Sequence, residues 1–123
     1  MISIIYDKDK VKSRCTSLNA ATRFFGGNKD LARHLLSRIF AINNAECLKD
    51  IRLIPSFRFH NLHGNLEGLF AIDVKSRKDK WRIILQPLDE NEEIFDPCHI
   101  DEISAYVTVV KIIEVRAHYE YLY

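Results

Sequence analysis

Two histidines at a spacing of three, His60 and His63, lead through a glycine-bounded turn into two short β-like runs. The connection between the runs carries Lys75, Arg77, Lys78 and Lys80, and the second run opens Trp81-Arg82-Ile83. Imidazoles titrate close to neutrality and serve as base or acid. Metal-independent RNA cleavage needs a base for the 2′-hydroxyl, an acid for the departing oxygen, and cations for the charge that builds on the phosphate. His60, His63 and His118 are the proton-transfer candidates. Arg82 is the candidate phosphate clamp, because its planar fork engages two oxygens at once. Arg58, Lys75, Arg77, Lys78 and Lys80 are candidate RNA-backbone cations, and Tyr119, Tyr121 and Tyr123 offer faces on which bases stack.

Each candidate also has a plain structural use. His60 fits a half-buried turn, His63 beside Gly64 fits solvent, and Arg82 fits an ion pair with Asp73 on an outward sheet face. Loop lysines commonly keep an edge strand from pairing, and the tyrosines at the end of the sequence can dock onto the body. No Walker loop, dinucleotide-binding glycine pattern, nucleophile elbow or HExxH helix occurs, so those chemistries are disfavoured. Cys15, Cys47 and Cys98 form no CxxC pair, which argues against a zinc site or a disulfide framework and for a reducing cytoplasm. Neither metal nor cofactor is expected. No apolar segment approaches the ~20 residues that span a bilayer, so a soluble protein with no membrane partner is expected.

The elements that must position these groups follow from periodicity. Ile2, Ile4 and Tyr6 suit a first strand buried on both faces and ending at Asp7. Val11, Cys15, Leu18, Ala21 or Thr22, and Phe25 predict one helix from Asp9 to the Gly26-Gly27 stop. Lys8, Lys10, Lys12 and Arg14 cluster near its start, the unfavourable end for cations, at a cost of ~0.3–1 kcal/mol each if exposed. Asn28 is a good cap for a second helix with Leu31, Leu35, Ile39 and Ile42 along one stripe, widened by Leu36 and Phe40. Asn43-Asn44 tolerate the left-handed backbone that ends helices. A short turn over Glu46 to Asp50 precedes Pro55. Residues 69–74 and 81–86 alternate as strands of a hairpin, with a long basic connection and with Pro87 as the stop. Val107 to Arg116 is a β-branched run suited to a central or near-central strand.

At 123 residues the chain is most simply one domain. The net charge of +1 conceals a division: residues 1–87 hold 16 Lys/Arg against 8 Asp/Glu, whereas residues 88–102 hold 7 Asp/Glu and no Lys/Arg. A basic body suits phosphate binding. The acidic insert, at about 88–106, is expected to be tacked down by Ile94, Phe95 and Ile100, with a helical turn after Pro97. One use for it is to fold over the basic face as an internal mimic of RNA. The order β-α-α-β-β-β, helices first and an antiparallel sheet after, reads as α+β.

The stretch FRFHNLHGNLEGLFAIDV followed by KWRI resembles the RelE/ParE superfamily of bacterial toxins, and within it the HigB-like killer group. That resemblance implies an α+β fold with two helices against an antiparallel sheet, and a ribosome-dependent mRNA endoribonuclease acting without metal. It implies as partners a helix-turn-helix antitoxin of the HigA-like kind, mRNA on the ribosome, and operator DNA only through the antitoxin complex. By position His60 falls on the family's active-site histidine and Arg82 on its phosphate-contacting arginine. His63 stands where a catalytic lysine is usual, and Ala117-His118-Tyr119 stands where the tail is commonly Asp-Tyr-His, so His118 and Tyr119 are exchanged. The alternatives are a ParE-like toxin that inhibits gyrase through protein contacts, and a binding module of the same fold without catalysis.

Overall fold

The computed structural model describes residues 1–117. Five strands form a mixed sheet in the order β1-β5-β4-β3-β2, from β1 (Ser3–Tyr6), β2 (His60–Asn61), β3 (Phe70–Asp73), β4 (Trp81–Leu88) and β5 (Val109–Ala117). The expected wholly antiparallel sheet is corrected at one edge, where β1 runs parallel to β5. The intervening chain is a long crossover containing every helix, which allows that pairing. The run beginning at Val107 is the interior strand its composition predicted, flanked by β1 and β4. β1, by contrast, is an edge strand and only partly buried.

The first expected helix is two helices, α1 (Asp9–Thr16) and α2 (Leu18–Phe24). Ser17 separates them with extended backbone, and its Oγ accepts from the Ala20 amide at 3.2 Å, an N-cap in mid-pattern. The apolar spacing continues across the break, so periodicity alone did not reveal it. The next helix, α3 (Lys29–Asn44), starts as expected, with Asn28 Oδ1 accepting from the Leu31 amide at 3.1 Å. It buries Leu31, Ala32, Leu35, Ile39 and Ile42 against the sheet and the first two helices. Phe40 is exposed instead of packed, at the rim of a groove shared with Tyr6, Cys15 and Leu36. The helix ends at Asn44 without a left-handed residue; the Asn44 side-chain amide caps the Phe40 carbonyl instead.

Pro87 does not stop β4, which continues to Leu88. β3 reaches only as far as Leu85, so at Pro87 that side of β4 has no ladder from which a missing N–H is lost. The helical turn after Pro97 is present as α5 (Ile100–Ile103) and buries Ile100. Ile94 is exposed, so Phe95 and Ile100 do the tacking. The insert docks on the short helix α4 (Leu48–Arg52), where Arg52 pairs with Asp101 and donates to the Ser104 hydroxyl at 3.1 Å. It leaves β4 at the end opposite the basic loop, separated by an eight-residue strand, or roughly 25 Å. The insert thus starts at the end of the sheet away from the basic loop. Among the described residues no helix is long and apolar enough to cross a membrane.

Candidate functional site

Helices cover one face of the sheet, where Phe70, Ile72, Val74, Ile83, Leu85, Ile112 and Val115 join the main core. Alternation places the polar residues on the other face. Register aligns Asp73, Arg82 and Arg116 in one row across β3, β4 and β5. The neighbouring row holds His60, Ala71, Ile84 and Glu114 across four strands. A small apolar cluster of Leu62, Ala71 and Ile84, edged by Leu66, Leu69 and Ile113, floors this face.

Arg58 lies just before β2 in the left-handed region, at φ 48°, an uncommon and strained backbone for a side chain of its size. That geometry turns the Arg58 carbonyl toward His60, whose Nδ1 lies 2.6 Å from it. A carbonyl only accepts, so Nδ1 carries the proton, and in the neutral ring Nε2 is left as the acceptor. The Arg58 guanidinium meets Asp73 with Nε–Oδ2 at 3.0 Å and is 37 % exposed. The Asp73 carboxylate is fully buried and bridges Arg58 to Arg82, whose Nε is 3.1 Å from Oδ1. The latter approach is ionic; neither atom makes an in-line hydrogen bond.

Arg82 is therefore not an open clamp: the residue is 2 % exposed. Its Nη1 donates to the carbonyls of Asp79 at 2.5 Å and Trp81 at 2.8 Å, and Nη2 reaches the Arg77 carbonyl at 3.5 Å. A fork expected to face a phosphate instead stitches the basic loop to the end of β4. Burial beside Asp73 gave it a stronger set of partners than solvent offers. Arg38 on α3 holds the same loop from the other side, donating to the carbonyls of Asp73 at 2.9 Å and Lys75 at 3.2 Å, with its guanidinium over the Phe57 ring.

The loop cations themselves point outward. Lys75 pairs with Asp30 at 2.6 Å, which holds that carboxylate below its usual range, and Lys80 lies 5.5 Å over the Trp81 ring. Arg77 and Lys78 are exposed. His63 is exposed in the turn between β2 and β3, with no side-chain partner among the described residues. His60 and Arg58 are thus brought together, while His63 stands apart on its turn. His118 and Tyr119 lie outside the described residues. Sequence reasoning passed over Arg38, Glu114 and Arg116. The signal for the last two was present, since they alternate with Ile113 and Val115 along an interior strand. Arg116 Nη1 donates to Glu114 at 3.2 Å. No group of His, Cys, Asp and Glu among the described residues is arranged to hold a metal ion.

No family model and no curated protein matches this chain. The architecture, two layers with a polar sheet face that the described helices leave bare, recurs among solved structures. One of these is YafQ from E. coli strain BL21(DE3); the likeness covers 100 % of both chains with a TM-score of 0.52 and 12 % identity. At that identity the likeness concerns the fold.

Proposed function

We propose that this chain is the toxin of a type II toxin–antitoxin pair, of the HigB-like kind, cutting mRNA on the ribosome without metal. The observation that carries the reading is the His60–Arg58 unit: an imidazole with its Nδ1 held by a carbonyl and a half-exposed guanidinium beside it, on a sheet face the helices leave open. His60 Nε2 takes the proton of a 2′-hydroxyl, whose oxygen attacks the adjacent phosphorus. The bond to the 5′-oxygen breaks, and the products are a 2′,3′-cyclic phosphate and a 5′-hydroxyl. His63 or His118 supplies the proton to the leaving oxygen, with Tyr119 the further tail candidate. Arg58 meets the phosphate charge, and Lys75, Arg77, Lys78 and Lys80 follow the backbone. Arg82 acts through the loop it holds and is a positioning residue.

The partner in this reading is a helix-turn-helix antitoxin, HigA-like, and operator DNA is reached only through the complex. Expression in a bacterial host, with primer extension on cellular mRNA, tests the reading. Growth arrest with discrete mRNA cuts, both abolished by His60→Ala and strongly reduced by Arg58→Ala, is the expected result. Arrest with DNA-damage signalling and intact mRNA would overturn it in favour of a gyrase-directed toxin, and no arrest at all in favour of a binding module.

A further inference from the structure

Lys10 stands in the first turn of α1, against the helix dipole, whereas the break at Ser17 leaves Arg14 in the last turn, the favourable end. Lys10 and Arg14 remain an i, i+4 like-charge pair, which costs stability. Lys10 and Arg23 are exposed, and neither they nor Arg14 forms an ion pair among the described residues. All three line one shallow depression of about 350 Å³ between α1 and α2, together with Ser13 and Phe24. The Arg14 guanidinium lies 4.1 Å over the Phe24 ring. Phe24 in turn meets Trp81 edge-on at 5.3 Å, and Trp81 carries Lys80 at 5.5 Å. A continuous ladder of cation, ring, ring and cation therefore joins this depression to the basic β3–β4 loop.

We infer that the Lys10–Arg14–Arg23 depression is a second RNA-binding site, holding backbone phosphates of a strand that passes around the β3–β4 loop from the open sheet face. Three unneutralised cations supply the phosphate contacts, and their repulsion is relieved when an anion enters. A guanidinium seated over a ring gives a base a cation and an aromatic partner at one place, a property an acidic peptide does not use. Ser13 adds a hydroxyl able to donate to a phosphate oxygen. The inference rests on the RNA-directed reading above for the identity of the strand, and it assigns that strand a contact on the helix layer.

The test is anisotropy of a fluorescein-labelled 12-nucleotide single-stranded RNA titrated with the full chain at several salt concentrations. For single strands each lost phosphate contact removes ~0.7 from the slope of log K against log salt, so Lys10→Gln/Arg14→Gln/Arg23→Gln should flatten it by about 2. Glutamine keeps the helix propensity, and circular dichroism checks the fold. Lys29→Gln/Arg33→Gln/Lys49→Gln removes equal charge from α3 and α4 and should flatten the slope by less than half as much. Equal flattening by both variants, or no change in the first, overturns the inference. So does loss of binding to a glutamate-rich 12-residue peptide with RNA binding retained. Cleavage is not read in this assay; flattening together with absent mRNA cutting in the host would reject the catalytic reading and leave the binding site standing.

Discussion

Replacing Asp73 by Asn should be among the most damaging conservative changes in this chain. The carboxylate is fully buried and lies between two guanidiniums, one 3 % exposed and the other 37 %. Loss of its charge leaves Arg82 ionised in the interior with only carbonyl partners. Breaking a buried pair from one side costs ~3–5 kcal/mol, whereas the more exposed Arg58 pair adds only about 0–1 kcal/mol. A loss of roughly 3–6 kcal/mol would be a large share of the ~5–15 kcal/mol by which domains are stable. Arg82→Met alone leaves Asp73 its Arg58 partner and should cost about 2–3 kcal/mol, mostly from the loop carbonyls it abandons. In the double variant no unpaired charge remains buried, so the two losses should fall short of adding, with a coupling of about 2 kcal/mol. Urea midpoints of the four proteins, at constant m-value, give the cycle. Additive losses, or an Asp73→Asn cost below about 1 kcal/mol, would refute the reasoning that Asp73 neutralises the buried Arg82 guanidinium.

Two further outcomes concern the helix layer. Burial pushes the Cys15 thiol from 9.0 up to about 12, and burial followed by the nearby Cys15 raises the Tyr6 phenol from 10.0 to about 12. The folded chain keeps protons that the unfolded chain releases, so this stability is complete below pH 9 and is lost between pH 9 and 12. The slope for the thiol is about −1.4 kcal/mol per pH unit, with a smaller share from the half-exposed Tyr6. Cys15→Ala should flatten the fall in stability measured by urea melts from pH 8.5 to 10.5, and an unchanged slope would reject the buried-thiol account. Asn28→Ala removes the acceptor at the start of α3 and should cost about 1 kcal/mol, while Asn28→Asp should cost nearly nothing. Urea midpoints of the two variants distinguish a capping role from mere tolerance of a turn.

Much of the fold was legible because one signal governed it locally. The α3 stripe, the Asn28 cap, the long loop after β3 and the β-branched run of β5 all followed from periodicity or from a single side chain satisfying a backbone group. The break at Ser17 was hidden because the apolar spacing carried on through it, so only the competing serine cap revealed two helices. Phe40 was misread for a related reason: its spacing placed it beside the stripe, but among the described residues no element covers that side of α3. The parallel pairing of β1 with β5 joins residues more than a hundred positions apart, and nothing in either strand encodes direction.

The histidines, the cations and their division from the acidic insert were determined by the sequence alone, as was the proximity of His60 to Arg58. What each arginine does was decided by the tertiary structure. Arg82 and Arg58 carry the same fork, but register sets Arg82 beside the buried Asp73, where low polarity and three loop carbonyls hold it, and leaves Arg58 at the rim, where solvent and a phosphate can still reach it. Lys10, Arg14 and Arg23 are similarly scattered charges in the chain and one depression in the fold. Residue type fixes which contacts are chemically available; burial and register select among them, because the cost of an unpaired charge depends on what surrounds it.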